Sequence, residues 1–302
     1  MSLSSASTVR HFRVQSGPVS LAVQSRGDAA HPCLIFIHGY PDTSALWDAI
    51  AAPLADRFHV VTYDVRGAGA SEAPQGINPY QFQYLIADLA AVADAVSPNK
   101  PVHLIGSDWG SLQGWKAVES PLMAGRIASF STAAPSLDHV GVWFQRRLQG
   151  GSLQGMLQAG KQMLGSLYMG AFQLPVVPEL TWRLAMPRLW PWFLKTAEGV
   201  NTAPEATLVA DGVQGLGLYR ANLTQALMKP EPRVTHTPVQ LLVQMQDRFV
   251  PAHLLDGLAE WVPNLTRREL ATGHWGAMTH PELFVEPIAT FVSQLESAHV
   301  SH

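Results

Sequence analysis

Five residues constrain this chain more than any others: Gly106-Ser107-Asp108-Trp109-Gly110, placed directly after the short run Val102-His103-Leu104-Ile105. Two glycines flank a central acidic residue at the end of a buried strand. That spacing fits a strand turning sharply into a helix, where there is no room for a Cβ beside the central side chain. The central residue also selects chemistry. A serine attacking an acyl group makes an ester, which water removes. A serine attacking saturated carbon would make a dead-end ether. An aspartate attacking saturated carbon makes an ester, which water cleaves again. Asp108 therefore points to displacement at sp3 carbon, either epoxide opening or carbon–halogen cleavage. Ser107 is not the nucleophile on this reading, because Asp108 holds the centre of the turn.

The rest of the chain supplies the sheet that such an elbow needs. Residues 11–15 and 20–24 alternate apolar and polar around Gly17-Pro18, as in an antiparallel hairpin. Residues 33–37, 59–63 and 102–105 are short apolar runs, the pattern of strands buried on both faces. Residues 44–54, 80–96 and 112–120 have helical spacing, and a further strand is predicted over 126–131. This βαβ rhythm predicts a mostly parallel sheet covered by helices. It breaks near Pro135. From about 138 to 228 the sequence reads as helical, rich in Trp, Met, Leu and Gly, punctuated by Gly150-Gly151 and by the prolines at 175 and 178. Strand patterns resume over 239–243 and 266–270, and a helix follows from 281 to about 295. The expected division is a core of residues 1–136 and 230–302 with an inserted helical cap of residues 137–229. The cap should cover the C-terminal ends of the strands, where open α/β sheets bind ligands.

With 302 residues, 47% of them hydrophobic, the chain can bury a large core. Its formal net charge is −3, and no basic run suggests nucleic acid or an anionic membrane surface. The single cysteine, Cys33, excludes a disulfide framework and suits a reducing compartment. The first ten residues are small and polar, unlike a signal peptide, and no apolar run is long enough for membrane insertion. These features lead us to expect a cytoplasmic protein.

Further chemical groups fall in loops after strands. His38-Gly39-Tyr40-Pro41 follows the strand at 33–37, and the backbone N–H of Tyr40 can join that of Trp109 in an oxyanion hole. Asp247 follows the strand at 239–246, and His274 lies in Thr272-Gly273-His274-Trp275. Nucleophile, acid and histidine then come in the order of a hydrolase triad. Asp138, just after the strand at 126–131, is a second candidate for the acid. Both aspartates could instead be helix caps.

On these motifs the chain resembles the α/β-hydrolase-fold epoxide hydrolases. The matching pieces are His38 to Pro41, Tyr63-Asp64-Val65-Arg66-Gly67, Gly106 to Gly110, Asp247-Arg248-Phe249-Val250 and Gly273-His274-Trp275. Residues 63–71 and 95–111 are especially similar to the hydrolase half of bacterial fusions with a short-chain dehydrogenase. No dinucleotide-binding glycine motif is present here. The resemblance implies an eight-stranded, mostly parallel sheet flanked by helices, with an all-helical cap. It implies two cap tyrosines that hold and protonate the epoxide oxygen. Tyr168, before Phe172-Gln173-Leu174-Pro175, and Tyr219, in Leu218-Tyr219-Arg220, occupy the matching positions. Phenols suit that role, because an alkoxide is a poor leaving group and ring opening at neutral pH needs an acid. His38, Pro41, Phe172 and Trp275 are expected substrate contacts. The implied partners are a small-molecule epoxide and water, with no cofactor and no metal.

The chain departs from the family in having Ser107 where many members have His before the nucleophile. Dehalogenases share the aspartate and the following tryptophan, and a haloalkane or haloacid dehalogenase is the alternative. Haloalkane dehalogenases often have Asn where this chain has Tyr40, and fluoroacetate dehalogenases typically have Arg where it has Trp109. A non-catalytic binding protein on the same fold is a further alternative. Trp143, Phe144, Met156, Met163, Leu167, Phe172, Trp182, Trp190 and Trp192 make the cap apolar, which suits an apolar epoxide. Taken one by one, these residues read most simply as cap core.

Overall fold

Alternation along the central strands builds two cores on the two faces of one sheet. The structure is a computed structural model that describes residues 8–201 and 203–300. Residues 1–7, most of the polar start noted above, lie outside the described residues. The strands are β1 Arg10–Ser16, β2 Val19–Arg26, β3 Cys33–Ile37, β4 His59–Tyr63, β5 Val102–Gly106, β6 Ile127–Thr132, β7 Val239–Gln244 and β8 Leu265–Leu270. They form a single sheet in the order β1-β2-β4-β3-β5-β6-β7-β8. β1 with β2 and β2 with β4 are antiparallel; every other pair is parallel. Every residue of β3, β4, β5 and β7 is buried, which explains their unbroken runs. The edge strand β8 instead exposes Arg267, Arg268 and Glu269, charges that discourage pairing with another chain.

In β3, Cys33, Ile35 and Ile37 join one core with Leu85 and Leu89 of α2 (Phe82–Val96) and Trp115 of α3 (Trp109–Val118). Leu34 and Phe36 join the other, with Ile50 and Leu54 of α1 (Asp48–Leu54). Among the described residues, six α-helices lie between β6 and β7: α4 Leu137–Gln149, α5 Leu153–Gly165, α6 Leu167–Ala171, α7 Val177–Leu184, α8 Met186–Phe193 and α9 Leu208–Met228. A π-helical turn, Leu194–Glu198, extends α8. After β8 come α10 Gly276–Thr279 and α11 Glu282–Val300. Ile288 and Val292 of α11 complete the second core.

The inserted helices are tied down by buried polar groups as well as apolar contact. The Trp143 indole of α4 donates to the His253 carbonyl at 2.8 Å, and His139 meets the Leu254 carbonyl at 3.1 Å. On α9 a Cβ at Gly215 would lie 2.3 Å from the Tyr40 ring, so glycine lets this helix press against the turn after β3. The loop after β4 is locked by a buried fork in which Arg66 donates to Asp88 at 2.6 and 2.7 Å. One expected boundary shifts: the helix predicted from residue 112 begins at Trp109, because Asp108 is itself the residue that precedes its first turn.

Candidate active site

Asp108 has φ 50° and ψ −122°, a backbone conformation that non-glycine residues rarely adopt. Close packing on both sides enforces it. A Cβ at Gly106 would lie 2.6 Å from the Gly110 carbonyl oxygen, and one at Gly110 would lie 2.0 Å from that of Ile37. The elbow therefore needs its two glycines for space, and it presents the Asp108 carboxylate beyond the end of β5. Gly39 matters equally, since a Cβ there would sit 2.4 Å from Asp108 Oδ1.

The two carboxylate oxygens of Asp108 have different surroundings. Oδ1 accepts the Tyr40 N–H at 2.8 Å, and the Trp109 N–H also favours the charged carboxylate. Oδ2 faces His274 Nε2 at 3.7 Å. On the other side of the imidazole, Nδ1 meets Asp247 Oδ2 at 2.7 Å. Asp247 Oδ1 accepts the N–H groups of Phe249 and Val250 at 2.7 and 2.8 Å, which fixes the carboxylate in place. The Gln244 side chain donates to the His274 carbonyl at 3.0 Å and holds the histidine loop to β7.

Burial and charge set the protonation of this group. Burial raises the Asp108 pKa, against the pull of His274 and the two backbone N–H groups. Burial opposes a charged His274, but Asp247, then Asp108 and Asp42, outweigh it and lift its pKa to about 9. Asp247 is also buried, yet the His274 partner and its two N–H donors hold its pKa below the ordinary value.

Tyr168, on α6, and Tyr219, on α9, both line a cavity of about 500 Å³ together with Asp108, His274, Phe172 and Trp275. Burial, reinforced by neighbouring ionisable groups that include Asp108, pushes both phenols above their ordinary pKa, so each keeps its proton at neutral pH. Tyr219 is held edge-on by the rings of Trp109, Phe172 and Tyr40, with centroids 4.8, 5.0 and 5.2 Å away. A second cavity, of about 490 Å³, shares Asp108, Tyr168, Tyr219 and Phe249 with the first. The carboxylate and the two phenols thus stand where two apolar spaces meet.

Residues 32–281 match the family described as the alpha/beta hydrolase fold. The chain is an α/β-hydrolase. It is 33% identical over 285 residues to the probable oxidoreductase EphD of Mycobacterium tuberculosis, covering 90% of this chain and 48% of that protein. The chain thus spans about half the length of that relative. It is 24% identical to epoxide hydrolase 4 of Homo sapiens, over 94% of this chain and 78% of that one. The crystal structure of the Bacillus megaterium epoxide hydrolase with an inhibitor superposes with a TM-score of 0.75 at 23% identity. That match covers 94% of this chain and all of the other, and it shows a shared fold.

Within this α/β-hydrolase, two expected substrate contacts are not where the sequence suggested. His38 and Pro41 line a space of only about 20 Å³, which shares Tyr40 with the first cavity and Trp109 with the second, and neither residue lines the larger two. His38 is spent on the backbone: Nδ1 meets the Gly39 carbonyl at 2.8 Å, and Nε2 accepts the Val65 N–H at 2.9 Å. Burial lowers its pKa, consistent with a neutral ring that braces the turn. Asp138 also lies elsewhere. It pairs with Lys116 and accepts the Glu231 N–H at 2.9 Å, while Asp247 faces the histidine.

The residue that sequence reasoning missed is Asp42. It is half-buried, it accepts the Trp275 indole N–H, and desolvation of its carboxylate with help from Asp108 raises its pKa to about 7. Its signal was its position, immediately after Pro41 in the turn that follows β3.

Proposed function

We propose that the chain is an epoxide hydrolase that converts an apolar epoxide to a vicinal diol through an ester on Asp108. One observation carries the proposal: a carboxylate with its oxygens divided between backbone N–H and imidazole shares a cavity with two protonated phenols. Simple acyl hydrolysis has no use for that pair of acids. The names of the epoxide hydrolases that this chain resembles support the same reading.

Tyr168 and Tyr219 hold the epoxide oxygen. Asp108 Oδ2 attacks a ring carbon, the C–O bond breaks, and a phenol proton passes to the departing alkoxide. Asp108 Oδ1 becomes the ester carbonyl oxygen, already seated on the Tyr40 N–H. His274 then takes a proton from water, which adds to the Asp108 carboxyl carbon. The Tyr40 and Trp109 N–H groups hold the resulting oxyanion, a stabilisation typically worth ~10²–10³ in rate per donor. Asp247 stabilises the imidazolium. The oxyanion collapses, the His274 imidazolium gives its proton to the departing alkoxide, and the diol leaves. The proton of the Asp108 carboxylic acid so formed returns to the phenolate, which restores the carboxylate and the phenol. Forming the ester also removes the Asp108 charge, one of those that lift the His274 pKa. Loss of that charge lowers the His274 pKa and so favours the neutral ring at the step that needs a base. The inserted residues 137–229 act as the cap that supplies both phenols. The working compartment on this proposal is the cytoplasm.

The test is a single turnover in heavy-oxygen water with styrene oxide, a disubstituted aromatic epoxide and a bromoalkane, with Asp108→Ala as control. Unlabelled diol in the first turnover, absent in the variant, supports the ester route. Full labelling in that turnover overturns it, and halide release without diol makes the protein a dehalogenase.

A further inference from the structure

Fourteen of the twenty large apolar side chains exposed among the described residues fall within residues 148–192. Leu153, Leu157 and Leu164 form a stripe on α5, and Leu180 and Leu184 recur at helical spacing on α7. Leu164 is 70% exposed and Leu184 73%. Large apolar patches are rare on monomeric soluble proteins and usually mark a partner, so exposed apolar residues concentrated in one segment call for an explanation.

Three observations identify the partner. First, the exposed apolar surface is continuous with both substrate cavities. Val177, Leu189 and Trp192 line the first cavity, Met163 and Leu167 the second, and all five are exposed. Second, the charges set among these residues are basic. Residues 148–192 carry Lys161, Arg183 and Arg188 but one acid, Glu179, which Arg220 holds at 2.6 Å. The whole chain, by contrast, has a formal net charge of −3. Third, no helix among the described residues is long and apolar enough to cross a membrane. An amphipathic surface with basic residues and no spanning helix suits the headgroup boundary of a lipid layer.

We propose that residues 148–192 seat this protein on an anionic lipid surface, from which apolar substrate enters the cavities without crossing water. A second copy of the chain fits less well. It would bring two basic surfaces together and cover the residues through which the cavities reach solvent.

The test is flotation of the purified protein with vesicles of phosphatidylcholine alone or mixed with phosphatidylglycerol. The comparison is Leu157→Glu combined with Leu164→Glu, positions that line neither cavity. The unmutated protein should float with the mixed vesicles at least tenfold more than the variant, and less with phosphatidylcholine alone. The variant should keep its melting temperature and its activity on a water-soluble epoxide. Flotation of both proteins alike, or of neither, overturns the proposal. So does a dimer seen by light scattering that the two substitutions dissolve while no vesicle binds. Flotation is measured without turnover, so it stands or falls separately from the proposed chemistry.

Discussion

The Asp42 carboxylate accepts the indole N–H of Trp275 at 3.1 and 3.3 Å, placing a third acid beside the imidazole of the adjoining His274. Asp247, Asp108 and Asp42 all raise the His274 pKa, but they differ in permanence. Asp247 keeps its charge throughout the proposed cycle. Asp108 loses its charge when the ester forms. Asp42 loses its own as the pH falls through about 7.

Asp42→Asn should therefore make His274 a weaker base with a lower pKa. The imidazole must be neutral to accept a proton from water, so ester hydrolysis rises with pH. Removing a nearby negative charge moves that rise to lower pH. The variant should hydrolyse faster than the parent somewhat above pH 7, where Asp42 is charged, and match it below. Stopped-flow decay of the ester across this range checks the sign. Equal profiles would mean that Asp42 only positions Trp275.

Asp247→Asn keeps an acceptor for the Phe249 and Val250 N–H groups, so the loop should stay folded. It cannot stabilise an imidazolium. Hydrolysis should slow by ~10²–10⁴ while alkylation persists, within the usual range for general base catalysis. Intact-protein mass spectrometry should then show one substrate mass added to the chain. Unchanged turnover would remove Asp247 from the mechanism.

The phenols should matter for oxygen leaving groups alone. Tyr168→Phe and Tyr219→Phe should each slow epoxide alkylation, and the double variant should lose at least about 10² in rate, as expected for general acids. A halide needs no proton to depart, so any displacement of bromide from a bromoalkane should be spared. The tryptophan signal offers a readout, because Trp109 lies 4.8 Å from the Tyr219 ring and next to Asp108 in the chain. Equal losses on both substrates would indicate that the tyrosines shape the cavity without donating protons.

Asp88→Ala leaves Arg66 buried without its carboxylate, although the Pro79 and Tyr84 carbonyls remain as acceptors at 2.7 and 3.2 Å. Breaking a buried pair from one side costs about 3–5 kcal/mol. Urea denaturation should show a loss of that order, and Asp88→Asn, which retains an acceptor, should lose less. A cost below about 1 kcal/mol would mean that the fork is solvated on opening.

The sequence by itself determined the sheet and the elbow, because both depend on local rules. Buried parallel strands need unbroken apolar runs such as Cys33 to Ile37, and a strand that turns as sharply as β5 does at Asp108 needs glycine at 106 and 110. Those rules operate within a few residues. Whether Asp247 or Asp138 reaches His274 depends on how β6, β7 and β8 order side by side, so only the tertiary structure could decide it. His38 shows the opposite failure. Its motif is legible in the sequence, but its partner is not, because the Val65 N–H that occupies its ring comes from the neighbouring strand's loop. The inserted helices show the difference most plainly. Their periodicity says which leucines share a face, and the composition suggested a packed cap interior. Trp143 and Trp182 are indeed buried, whereas Met156, Met163, Leu167 and Trp192 stand exposed. Helical spacing fixes which residues point the same way; what covers that face is set by the neighbouring elements, and here they leave it open.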